Sequence, residues 1–105
     1  MLEGVNVTTT ATQVLLEEGY RSTEELLRSW ALMTAMSRLE QYRAESELFE
    51  RKYRGTFTAV EQAVHTTKGQ EDFEQEQDLE DWEFAERALA WWQSRVQDLR
   101  VAEGS

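Results

Sequence analysis

Paired carboxylates are the residues of this sequence whose spacing most resembles that of a catalytic site. Glu47 precedes Glu50 by three positions, and Glu80 precedes Glu83 by three positions. On a helix this spacing places both carboxylates of a pair on one face, where they can bind magnesium in a nucleotide hydrolase. Such pairs also arise by chance among 21 acidic residues, and Arg51 lies next to the first pair. We therefore predict that the chain is not an enzyme.

The sequence offers few residues for other kinds of catalytic or cofactor-binding site. The sequence contains no cysteine and a single histidine, His65. Thiol nucleophiles, disulfides and zinc ribbons are excluded, and one histidine at the edge of a predicted helix is a weak basis for a Ser-His-Asp triad. The sequence has no glycine-rich phosphate loop, and residues 71–83 lack the central glycine of an EF-hand. We expect neither a metal nor a cofactor.

The formal net charge of -10 is concentrated in one segment. Residues 1–70 hold ten acidic and eight basic residues, residues 71–86 hold nine acidic and no basic residues, and residues 87–105 hold two acidic and three basic residues. This balance disfavours binding to nucleic acid, whose phosphates repel carboxylates. No apolar run approaches the length of a membrane span and no export leader is evident, so we expect a cytoplasmic protein with no membrane partner.

Aromatic side chains alternate with the acidic residues of segment 71–86, which contains Phe73, Trp82 and Phe84. Acidic residues in the first turn of a helix interact favourably with its dipole, and this structural explanation stays open. Carboxylates interspersed with rings also match a basic groove on another protein, where charge speeds the encounter and buried rings stabilise the complex. The predicted partner-binding residues are Asp72, Phe73, Asp78, Asp81, Trp82, Phe84 and Trp91, of which Trp82 is equally a candidate for the core.

The elements that position these residues are predicted to be helices, because the chain has no proline and only five glycines. Ser22 and Glu25 form a capping box, from which one long helix is expected to continue to about Tyr53. A short helix is expected before it, at about Ala11 to Glu18, with Thr10 as its cap. Gly19 and Gly55 are expected to end these two helices in the left-handed conformation.

The second half of the chain is predicted to contain two more helices. Thr58 and Glu61 repeat the capping-box pattern and predict a helix of about two turns. Residues 66–77 are interpreted as an irregular connection, after which Asp78 is expected to cap a final helix that ends near Arg100.

Apolar residues of the final helix recur at alternating spacings of three and four, which is typical of a heptad seam. We expect this seam to pack antiparallel against the apolar stripe of residues 39–53, giving a mainly α fold built on a helical hairpin. Phe84 and Trp91 lie off the seam and seven residues apart, so they require a second partner. The residues of the seam are Trp82, Ala85, Leu89, Trp92, Val96 and Leu99.

Two segments resemble motifs of TumA-like antitoxins, which are small prokaryotic proteins encoded beside ribonuclease-like toxins of the TumE type. The first is similar to an FExKYGxSF-like signature, from which Arg54 departs by lengthening the turn before Gly55. The resemblance covers about residues 39–99 and implies a non-enzymatic inhibitor of a basic toxin protein encoded nearby. The first matching segment is Phe49-Glu50-Arg51-Lys52-Tyr53-Arg54-Gly55-Thr56-Phe57, and the second is Asp72-Phe73-Glu74 followed by Asp78-Leu79-Glu80-Asp81-Trp82-Glu83-Phe84-Ala85, with Ala88, Leu89 and Trp92 behind.

Residues 1–38 look like a ribbon-helix-helix unit, in which a short strand at residues 5–10 would pair between two chains. That strand contains no Lys or Arg, so its contacts with an operator would be poor and we favour dimerisation. The predicted dimerisation residues are Val5, Val7, Leu26 and Trp30.

Two units are therefore expected, a dimerisation segment at residues 1–38 and a toxin-binding helical region at residues 39–105. A DNA-binding autorepressor and a purely structural helical adaptor remain the alternative functions.

Overall fold

The protein, described by a computed structural model over residues 6–66 and 72–104, consists of helices. In these two ranges the chain forms four helices and no strand, which confirms the prediction of a mainly α protein. The helices are α1 (Val7–Glu17), α2 (Thr23–Tyr53), α3 (Phe57–Thr66) and α4 (Phe73–Gly104).

Helix α2 begins where the capping box predicted. The Glu25 backbone N–H donates to the Ser22 hydroxyl at 3.1 Å, and α2 then continues to Tyr53. Gly19 has the predicted left-handed conformation, with φ of 93°. At the other end, Arg54 rather than Gly55 is left-handed, with φ of 55°.

Gly55 is not left-handed, and a Cβ atom there would lie 3.4 Å from Val60 of α3, at the edge of ordinary van der Waals contact.

Three helices begin earlier than predicted, with α1 beginning at Val7 rather than at about Ala11. The Thr56 hydroxyl, not that of Thr58, accepts the Ala59 N–H at 3.2 Å at the start of α3. Asp72, not Asp78, accepts the Gln75 N–H at 3.0 Å at the start of α4. The first turn of α4 carries further carboxylates that favour the positive end of its dipole. The irregular connection expected at residues 66–77 is wrong at residues 73–77, which are helical, and at Thr66, which ends α3, while residues 67–71 lie outside the described residues.

The strand expected at residues 5–10 is wrong for the part of it that the structure describes. Val7 begins α1, because the Asn6 side chain accepts the Thr9 N–H at 3.2 Å and caps the helix. A satisfied helix cap outweighs the weak β preference of Val7 and the threonines that follow it. Val5 lies outside the described residues.

Helices α2 and α4 form the body of the protein and pack with opposite chain directions. Later residues of α4 contact earlier residues of α2: Asp78 meets Tyr53, Trp82 meets Phe49, and Trp92 lies beside Ala35. The side chains buried between the helices are those of Ala35, Ser46, Trp82, Ala85 and Val96, the last three of which belong to the predicted seam.

Trp82 is the centre of an aromatic cluster that joins three helices. Its side chain has 0% exposure, and the rings of Phe49 and Tyr53 stack on it with centroids 5.8 and 5.9 Å away. Phe57 of α3 meets the indole edge-on at 5.5 Å. Aromatic pairs at these distances contribute roughly 0.5–1.5 kcal/mol each beyond the area they bury. The aromatic cluster therefore holds α3 onto α2 and α4.

A short chain of hydrogen bonds satisfies the polar end of this buried ring. Trp82 Nε1–H donates to Ser46 Oγ at 3.3 Å, and Ser46 Oγ–H donates to Glu86 Oε1 at 2.8 Å. Ser46 is 3% exposed, so water cannot replace it without entering the core.

The molecule is long and thin, with extents of 71 × 41 × 16 Å and a radius of gyration of 21.6 Å. A compact domain of this length has a radius of gyration of about 13 Å. One layer of two helices can bury only the side chains at their junction, so many apolar side chains stay on the surface. Exposed examples on α2 and α4 are Leu27, Trp30, Met33, Leu48, Phe73, Phe84, Trp91 and Val101.

The Ser46→Ala substitution tests the buried hydrogen-bond chain. It leaves the Trp82 N–H without its acceptor, and we expect the free energy of unfolding to fall by about 1–3 kcal/mol. Ser37→Ala, at an exposed position of the same helix, controls for the higher helix propensity of alanine. Equal urea midpoints for the two variants would show that this hydrogen bond does not stabilise the core.

Candidate functional site

Three of the four aromatic residues predicted to bind a partner lie on the surface of α4. Phe73 is 75% exposed, Phe84 is 61% exposed and Trp91 is 58% exposed. The spacings of eleven and seven residues between them are whole numbers of helical turns to within a small angle, so the three rings lie on one side of α4. This side is distinct from the seam that packs against α2.

Trp82 is corrected from a partner-binding candidate to a core residue. It is enclosed by the aromatic cluster and has no exposed surface, so a partner cannot reach it while the helices stay packed. Its position on the heptad seam is the feature of the sequence that predicts this burial.

The three predicted carboxylates differ in their surroundings. Asp78 is 16% exposed and accepts hydrogen bonds from Lys52 Nζ and from the Tyr53 hydroxyl, each at 2.5 Å. These contacts hold α4 against α2, so Asp78 serves the fold. Asp72 caps α4, and Asp81 is exposed on the surface, where the Gln77 amide donates to it at 3.0 Å.

The contacts of Asp78 shift the pKa values of the groups that make them. The Lys52 ammonium and then the Tyr53 hydroxyl lower the pKa of Asp78 below its ordinary value of 3.8. Burial and the hydrogen bond to Asp78 raise the pKa of Tyr53 to about 12. Hydrogen bonds to Asp78 and Glu74 raise the pKa of Lys52. Lys52 is thus a charge already engaged with the acidic residues of its own chain.

The exposed side of α4 continues onto α2 to form one broad surface, which we call the α2–α4 face. Its exposed apolar residues are Phe84 and Trp91 from α4, and Trp30 and Leu48 from α2. Trp30 and Leu48 are eighteen residues apart, which is five helical turns, so they lie on the same side of α2.

Two grooves run along the junction of the helices on the α2–α4 face. The first, which we call the Phe84 groove, has a volume of about 520 Å³. It is lined by Glu45, Leu48, Phe49, Lys52, Asp81 and Phe84. The second has a volume of about 380 Å³ and is lined by Trp30, Ala31, Thr34, Ala35, Trp92, Arg95, Asp98 and Leu99.

Charge differs between the two ends of the α2–α4 face. Residues 73–86 of α4 contain seven acidic and no basic residues, whereas residues 87–101 contain three basic and one acidic residue. At this second end, the Arg95 guanidinium lies 3.7 Å from the centroid of the Trp91 ring and 5.4 Å from that of Trp92. An acidic end carrying Phe84 therefore adjoins a mildly basic end carrying Trp91.

On the α2 side of this surface, sequence reasoning named Trp30 as a dimerisation residue but missed the residues around Leu48. Glu45, Leu48 and Lys52 recur at spacings of three and four, which is the signal that places them on one helix face. The sequence analysis assigned the stripe from Leu39 to Tyr53 to helix packing instead, because that stripe contains more aromatic residues.

The predicted dimerisation residues that the structure describes are exposed, with Val7 on α1 and Leu26 and Trp30 on α2. Between α1 and α2, the hydroxyl of Tyr20 lies 3.2 Å from Ser29 Oγ of α2 and holds this connection against the helix.

The carboxylate pairs considered for catalysis lie on exposed helix surfaces. In the second pair, Glu83 forms an ion pair with Arg87, while Glu80 is exposed nearby on the same helix. Across residues 6–66 and 72–104, no three His, Asp or Glu side chains are grouped so as to hold a metal ion. None of the helices described here is long and apolar enough to cross a membrane.

Comparison with protein families, curated proteins and solved structures finds no match to this chain. The residues that carry the antitoxin resemblance fall into two structural groups. Phe49, Tyr53 and Phe57 of the first motif surround Trp82 and build the core. From the second motif, Phe84 points to the surface, where it meets Tyr42 edge-on at 5.8 Å. Only the second motif thus places a large ring where a partner can contact it.

Asp78→Asn tests the ionic link between the helices through its pH dependence. Because the folded-state pKa of Asp78 is lowered, its carboxylate stabilises the fold above about pH 4, and this stabilisation is lost as pH falls through the folded-state pKa. We expect the melting temperature of the variant to be lower than that of the wild type at pH 7, and the gap between the two melting temperatures to narrow towards pH 2. Asp98→Asn, at an exposed aspartate, should show no such narrowing. A gap for Asp78→Asn that is constant with pH would contradict the assignment.

Proposed function

We propose that this chain is an antitoxin-type inhibitor that binds and masks the basic active surface of a ribonuclease-like toxin. One observation carries the proposal: Phe84 is exposed within residues 73–86 of α4, which hold seven acidic and no basic residues, and Trp91 is exposed on the same side at the adjoining, mildly basic end. Large exposed rings next to carboxylates that form no ion pair among the described residues, such as Glu80 and Asp81, are the chemistry that recognises a cationic protein surface.

In the proposed mechanism, the acidic residues determine the association rate and the aromatic rings determine the dissociation rate. Exposed carboxylates of α4, including Asp81 and Glu80, attract the basic partner and increase the association rate. Phe73, Phe84 and Trp91 then lose their exposed area against the partner and slow dissociation. Cleavage of RNA stops because the acidic helix occupies the surface on which the phosphates would bind.

The alternative of a DNA-binding autorepressor has less support. A ribbon-helix-helix repressor reads the major groove with paired strands, whereas residues 7–10 belong to α1. The acidic half of α4 also repels DNA phosphates.

Replacing both Phe84 and Trp91 by alanine tests the inhibitor function. The test uses the small basic protein that we expect from the adjacent open reading frame, co-expressed in a bacterial host. The double variant should lose neutralisation of that protein, with at least a tenfold weaker affinity measured by calorimetry, because two central aromatic anchors are removed. Its melting temperature should stay within a few degrees of the wild type, since both rings are largely exposed.

Met36→Ala provides the matched control, because Met36 is an exposed apolar residue of α2 on the side away from the α2–α4 face. This variant should neutralise normally. Loss of folding in the double variant, or neutralisation equal to that of the control, would contradict the proposal.

A purely structural role in self-association is the second candidate, and the Trp30 end of the α2–α4 face favours it. Trp30 is 61% exposed and Met33 is 66% exposed. Residues 23–38 contain two acidic and two basic residues, so two copies can approach there without net repulsion.

Trp30→Ala distinguishes this candidate by sedimentation. If the chain pairs through this end, the wild type should sediment as a dimer and the variant as a monomer, because a central tryptophan of an interface contributes strongly to affinity. A monomeric wild type at micromolar concentration would rule out pairing through Trp30 and leave the inhibitor function as the explanation of the exposed rings.

A further inference from the structure

We propose that the Phe84 groove binds a basic amphipathic helix of the partner, with one apolar side chain inserted against Leu48 and Phe84 and flanking arginine or lysine side chains paired with Glu45 and Asp81. This inference rests on the proposed inhibitor function and names the segment of the partner that the site recognises.

The shape of the groove fits a helix. It lies between α2 and α4, whose exposed side chains form its two walls, and a third helix can bury an apolar stripe by packing along such a junction. Its volume of about 520 Å³ accommodates more than one apolar side chain.

The apolar surface within the groove is accessible. Leu48 is 59% exposed and Phe84 is 61% exposed, while Phe49 between them is half-buried and turns its other side to Trp82. Phe49 thus forms the floor of the groove, and its packing against Trp82 in the aromatic cluster holds it rigid. A rigid apolar floor loses little conformational entropy when a ligand side chain packs on it.

The charges at the groove select a cationic ligand. Among the described residues, neither Glu45 nor Asp81 forms an ion pair with a basic side chain, and the one cation of the lining, Lys52, is held by Glu74 and Asp78. An arginine bound here could pair with a carboxylate and stack on the Phe84 ring at the same time. A second copy of this chain that bound groove to groove would bring the same acidic half of α4 to the site, so like charges would oppose it.

The test measures binding of a labelled synthetic helix to the full-length chain by fluorescence anisotropy. The probe carries leucines along one face and arginines on both flanks, and a second probe has glutamate in place of each arginine. We expect the basic probe to bind and the acidic probe not to bind. Leu48→Glu should abolish binding, and Glu45→Lys combined with Asp81→Lys should weaken it about tenfold or more.

A matched control separates local from overall charge. Glu47→Lys combined with Glu50→Lys changes the net charge by the same amount, but neither of these exposed residues of α2 lines the groove. At 0.15 M salt, charges further than about 8 Å away are screened, so this control should lower the affinity for the basic probe by less than about threefold. Equal effects of the two double variants, or equal binding of the two probes, would overturn the inference.

Neutralisation of the basic neighbouring protein distinguishes failure of this inference from failure of the proposed function. If Leu48→Glu still neutralises while the Phe84 and Trp91 double variant does not, the groove is not the helix-binding site and the inhibitor function stands. If Leu48→Glu instead converts a dimeric wild type into a monomer on sedimentation, the groove binds a second copy and the inference is overturned.

Discussion

The architecture depends on enclosing one indole ring. Trp82 can be buried only if α2 and α3 both supply rings around it and Ser46 accepts its N–H. Once its side chain points into the junction of the helices, helical geometry determines where its neighbours point. Phe84, two residues further on, is rotated by about 200° around the helix axis and must face outward. The exposure of Phe84 is thus a consequence of the burial of Trp82.

The same geometry divides the acidic residues into two groups. Glu86 and Asp78 lie towards the junction, where they accept hydrogen bonds from Ser46, Lys52 and Tyr53. Asp81 lies on the outer side, away from these donors. The structural explanation of the acidic segment therefore applies to Glu86 and Asp78. The proposed attraction of a cationic partner depends on outward-facing carboxylates such as Asp81. A thin layer of two helices makes this division possible, because each helix has one buried side and a much larger exposed one.

Sequence reasoning succeeded where local chemistry or a long pattern decides the structure. Ser22 and the heptad seam of α4 are examples, since a cap is satisfied within four residues and a seam repeats over several turns. It failed where several caps compete: Asp78 resembles a cap but is drawn to Lys52, a contact that only the folded chain reveals. Leu48 was overlooked for a related reason, because tertiary packing determines which side of a long helix stays exposed.

The most direct measurement of the central claim is a ¹⁹F NMR titration of the chain labelled with 5-fluorotryptophan, with the basic neighbouring protein as the ligand. Labelling reports Trp30, Trp82, Trp91 and Trp92 at once, and single substitutions assign the signals. Our account predicts that the Trp91 resonance shifts and loses its sensitivity to a soluble paramagnetic agent on binding, while the Trp82 resonance keeps its position. A complex that forms with Trp91 still accessible, or with the Trp82 resonance displaced by opening of the core, would contradict it.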